Sequence, residues 1–115
     1  MLPPLHFQRY TDFLSALEEL KASVDVGENA QQNFQQVQQA YQEQILTLTA
    51  EGIDAAIAPR WQSVHTEMHR TMRLLQADIL FLGASRQSAI ATSRQAACLA
   101  RIEQLIGYCQ VLISY

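Results

Sequence analysis

At 115 residues, with 49% apolar and 17% charged residues, the chain has the size and composition of one folded domain, residues 1–115, and not those of a disordered segment. The net charge of −3 is unevenly divided: residues 1–54 hold two cations against eight carboxylates, whereas residues 55–115 hold six arginines against three carboxylates. Lys21 is the one lysine and no dense basic run occurs, which argues against nucleic-acid binding. The N-terminus lacks the pattern of a signal peptide, and the longest strongly apolar stretch, Ile79–Leu82, falls far short of the ~20 residues that span a bilayer. A cytoplasmic location without membrane insertion is therefore expected.

The first helix is expected to start at Pro4, since proline fits a first turn where its missing donor would go unpaired anyway. Tyr10, Phe13, Leu17, Leu20 and Val24 recur in alternating steps of three and four, tracing one helix face, and Gly27 is placed to end it. A second helix is predicted from about Asn29 to Ala50, with Asn29 and Gln32 spaced as a capping box and a stripe of Phe34, Val37, Tyr41, Ile45 and Leu48. The rest of this segment is rich in glutamine, a good helix former, and reads as a solvated neutral face.

Gly52 closes the second helix in this reading, and Asp54 starts a short turn leading to Pro59. The third helix then carries Trp61, His65, Met68, Met72, Leu75, Ile79, Leu82 and Arg86 in four-three register, which suits shallow antiparallel packing. A second stripe of Leu74, Ala77, Phe81 and Ala84, with Leu80 in a third direction, makes this helix apolar on several sides. It needs several neighbours or another molecule to cover it. The fourth helix has Cys98, Ile102, Leu105, Cys109 and Leu112 in register, but its phase is slipped by two residues from the third stripe. That slip predicts a turn or kink within residues 86–93, where Thr92 and Gln95 have capping-box spacing. The expected fold is all-α, an antiparallel four-helix bundle. The alternative is three helices, the last a long kinked one from Pro59 to Ser114.

Cys98 and Cys109 lie three helical turns apart, roughly 16 Å of rise at ~1.5 Å per residue, too far to bridge each other. They read as small buried hydrophobes. His65 and His69 share a helix face and are the weak metal candidates. Glu67 sits between them in His-Thr-Glu-Met-His, not in the His-Glu-x-x-His order of zinc proteases, and only distant residues such as Glu51 or Asp54 offer a third ligand. Arg70 and Arg73, a turn apart, suit either an acidic partner or the acidic first hairpin, and the latter is the favoured expectation. No phosphate loop or nucleophile-elbow motif occurs. The chain therefore reads as a non-enzyme with no cofactor. Arg70, Arg73, Leu80, Phe81 and Arg86 are the candidate interaction residues, and the third helix is the surface on which to look for a partner or a second copy in a homodimer.

Three segments carry a resemblance: Leu5–Leu20 (LHFQRYTDFLSALEEL), Thr66–Gln87 (TEMHRTMRLLQADILFLGASRQ) and Ile102–Ile113 (IEQLIGYCQVLI), with Gln8-Arg9-Tyr10 and Ser85-Arg86-Gln87 as their polar signatures. In these the chain resembles the cyanobacterial PatD family of heterocyst-frequency control proteins. The resemblance implies a non-enzymatic cytoplasmic regulator that interacts with the tubulin-like division GTPase FtsZ and modulates its assembly. It supplies no motif of binding residues. Two other readings stand beside it: a small metal- or ligand-binding bundle using His65 and His69, and a structural subunit of a larger complex.

Overall fold

The computed structural model describes residues 2–84 and 88–115. Helix α1 spans Pro4–Val26 and buries Tyr10, Phe13, Leu17, Leu20 and Val24, the face its three-four spacing predicts, together with His6. Gly27 ends it in the left-handed region at φ 81°, its N–H donating to the Ser23 carbonyl, a conformation open to glycine because it has no Cβ.

Helix α2 (Ala30–Ala40) continues into a π-helical turn, Tyr41–Ile45, in which the Leu46 N–H reaches back five residues to the Tyr41 carbonyl. The second helix is thus shorter than the expected Asn29–Ala50. Its end is set from another element: Nη1 of Arg9, on α1, donates to the Gln44 carbonyl at 3.2 Å and to Thr47 Oγ1 at 3.1 Å. The Asn29–Gln32 capping box does not form, since Asn29 sits in the left-handed region at φ 59° and its side chain caps nothing. Asp54 does open a turn, accepting from the Ala56 N–H through Oδ1 and from Ile57 and Ala58 through its carbonyl.

Helices α3 (Ala58–Ala84) and α4 (Ser88–Ser114) pack side by side, with Arg101 of α4 on Asp78 of α3. That pairing excludes a single long kinked C-terminal helix. Of the expected turn at 86–93, the part from Ser88 onwards is helical; residues 85–87, including the candidate Arg86, lie outside the described residues. Gln95 is not part of a local capping box. Its amide reaches across to donate to the Val24 and Asp25 carbonyls at 2.7 and 3.0 Å, satisfying the open end of α1, while Thr92 Oγ1 donates to Ser88 on its own helix.

The result is an antiparallel four-helix bundle about 50 Å long and 19 Å across, with the helices neighbouring one another in chain order and α4 closing on α1. Its one core cluster runs from Leu2 to Leu112 and includes both cysteines. α4 packs along both α1 and α3, whereas α2 and α3 touch least of the neighbouring helices. By length and composition α4 could cross a membrane, but in the bundle its Cys98, Ile102, Leu105, Ile106, Cys109 and Leu112 are spent on the core.

Candidate functional site

α1 and α3 lie on a diagonal, so only long side chains bridge them. Tyr10, fully buried, is the hub. Trp61 Nε1 donates to its hydroxyl at 2.8 Å, so the hydroxyl proton points to His65 Nε2 at 2.6 Å. This fixes His65 as neutral, protonated on Nδ1, because an imidazolium has no lone pair to accept with. Burial holds its pKa down at about 4, and nearby His6 adds to the effect. Burial likewise pushes the Tyr10 phenol up. His6 Nε2 meets the Thr49 carbonyl at 2.9 Å and must donate to it, which ties α1 to the segment after α2. Its Nδ1 is buried without a hydrogen-bond partner among the described residues.

The two candidate metal-binding histidines are drawn into different surroundings. His65 has Nε2 committed to Tyr10 and its ring tilted against Trp61 at 4.2 Å between centroids. His69 is exposed and lies beside Tyr41 of the π turn, Nδ1 to hydroxyl 3.5 Å. Asp54, one of the two distant ligands considered, spends Oδ1 on its own turn. Among the described residues no three His, Cys, Asp or Glu side chains converge.

The interaction candidates divide between the two flanks of α3. Arg73 and Leu80 face the seam with α2, and Phe81 faces α4, where the Arg94 guanidinium sits 4.7 Å from its ring centroid. Met68 and Met72 are core, whereas Leu74, Leu80 and Phe81 stay 37, 61 and 51% exposed. The expected pairing of the arginines with the acidic first hairpin does not occur. Arg70 pairs with Glu67 of its own helix at 3.7 Å, and Arg73 has no ion pair among the described residues. The described ion pair between the hairpins runs the other way, from Lys21 of the acidic half to Glu103 of the basic half. Helices in shallow contact bury their apolar faces against each other, which leaves α3's arginines on the outside.

Three adjoining hollows of about 180, 180 and 410 Å³ run along α3, the first two at its sparse seam with α2 and the π turn, the third beneath Leu46 and Leu48 of the segment that follows. The first two share Gln38 and Gln76, and the second and third share Leu46 and His69. Phe34, Tyr41, Met72, Ile79 and Trp61 form the floor, and the glutamines anticipated as a solvated face form its rim. Sequence periodicity did not reveal this groove. Its only local signal is the π-helical turn, a feature frequent at functional sites and invisible to a stripe count.

The chain matches no protein-family model, no curated protein and no solved structure.

Proposed function

We propose that the chain is a non-enzymatic, cytoplasmic, protein-binding regulator of the PatD kind, which interacts with FtsZ and modulates its assembly. In a filamentous cyanobacterium it would thereby bear on heterocyst frequency, and elsewhere on division alone. The identity of the partner rests on the resemblance of the α1, α3 and α4 segments. The apolar stripes of those segments serve the core: Tyr10, Phe13, Leu17, Met68, Leu75 and Ile102 are each no more than 1% exposed. The observation that supports a binding role is the exposure of Leu74, Leu80 and Phe81 on a helix that also carries Arg70 and Arg73, the latter with no ion pair among the described residues. Large apolar side chains left exposed along a helix, with arginine among them, are the composition of protein-contact surfaces.

Sedimentation of GTP-assembled FtsZ tests this. The chain is expected to pellet with the polymer and to change its yield, and the double substitution Leu80→Glu, Phe81→Glu to abolish both effects without loss of helical circular dichroism. Absence of co-pelleting together with an unchanged yield overturns the FtsZ reading.

A further inference from the structure

From the α2–α3 groove we infer a docking site for a single amphipathic, acidic helix supplied by a partner protein. The inference rests on the protein-binding reading above but not on FtsZ being the partner. Three features of the groove carry it. The first is shape. The hollows follow α3 from Gln62 to Leu80, roughly 27 Å at ~1.5 Å per residue, which is the length of about five helical turns. Two of the three occupy the seam where two bundle helices meet least, so a helix laid there gains flanks on both sides.

The second feature is the division of chemistry. Leu46 and Leu80, 48 and 61% exposed, present apolar surface in the hollows above the buried Phe34, Met72, Ile79 and Trp61, between rims bearing Gln35, Gln38, Gln42, Gln62 and Gln76. This suits a helix whose apolar residues recur at i, i+3, i+4 and i+7 and whose edges are polar. The third is charge. No carboxylate lines any of the three hollows, α2 and its approach carry no charged residue from Asn29 to Gln42, and Arg73 stands at the middle hollow with no ion pair among the described residues. The mate for that guanidinium is a carboxylate.

A second copy of this chain does not meet these terms. Outside α3 its exposed apolar residues are scattered, with Leu5 and Phe7 at the start of α1 and Ile90 and Val111 near opposite ends of α4, and the exposed apolar flank of α3 bears arginines, which would face Arg73 with like charge.

The test is selection from a display library of 18-residue helices with fixed apolar positions and randomised flanks, against the full chain. Enriched sequences are expected to carry Asp or Glu on one flank. Their binding should fall roughly tenfold for Arg73→Glu, since reversal replaces an attraction with a repulsion of similar size, and should be blocked by Gln76→Trp, which fills the junction of two hollows. Both positions are exposed, and circular dichroism verifies that each variant retains its fold. No enriched binder, binders with basic flanks, or binders indifferent to both substitutions overturn the inference. The two readings separate cleanly. FtsZ pelleting without any enriched acidic helix leaves the regulator and removes the groove, whereas acidic-helix binding without FtsZ pelleting leaves the groove and removes FtsZ.

Discussion

Tyr10 and His65 show how one residue position can be legible as core and illegible as chemistry. Three-four spacing places both on inward faces, because periodicity reports burial. It cannot report that a hydroxyl on α1 is shared between Trp61 and His65, which lie 51 and 55 residues away across the bundle diagonal. The bond has a consequence for acid stability. His65 titrates near 4 when folded and near 6.5 when unfolded, so below 6.5 the unfolded chain binds a proton that the folded chain refuses. Stability is therefore full above pH 6.5 and is lost as pH falls toward 4. Because part of the ring meets solvent, the loss is about 1–3 kcal/mol and not the whole value of the shift. Urea midpoints measured from pH 7 to pH 4 are expected to show this decline. In His65→Gln, whose amide can still accept from Tyr10, the decline should be shallower by that amount.

At the scale of elements, the starts of α1 and α3 and the end of α1 were readable, because Pro4, Pro59 and Gly27 act on their own turns. Two misreadings share one cause: a local pattern was overridden by a distant partner. Thr92 and Gln95 have the spacing of a capping box, yet Gln95 caps the C-terminus of α1 some 70 residues away. The π turn that follows α2 ends where Arg9 holds the Gln44 carbonyl, a contact 35 residues off. The roles of the first pair can be told apart by stability. Gln95→Ala, which leaves two carbonyls of α1 without their donor, is expected to cost about 1 kcal/mol in urea denaturation. Thr92→Ala removes only a bond within its own helix and is expected to stay within ~0.5 kcal/mol. Equal effects would return the cap to Thr92.

Across the whole molecule, the four-helix architecture follows from four apolar stripes that cannot be buried except against one another. Charge was the poorer guide. An acidic N-terminal half and a basic C-terminal half suggested two hairpins held by opposite sign, but the ion pair between them, Lys21 with Glu103, reverses those signs. Exposed pairs of this kind contribute little, so packing and not net charge sets how the hairpins meet. The asymmetry instead remains on the surface as a field that a partner would sense. The groove was not legible for a related reason: stripes describe what each helix buries, and a groove is what two helices together leave open.

Cys98 and Cys109, both fully buried, give the molecule an internal clock. Burial raises their thiols to about 11 and 12, so almost no thiolate exists at neutral pH, and no reagent reaches either sulfur while the bundle is closed. Alkylation then has to wait for the chain to open. Since both side chains belong to the one cluster that spans the bundle, that opening is global unfolding. Mass spectrometry of the native protein in excess iodoacetamide is expected to show the unmodified and doubly modified species, with the singly modified form scarce throughout. A build-up of singly modified chain would mean that one end of α4 detaches while the other holds.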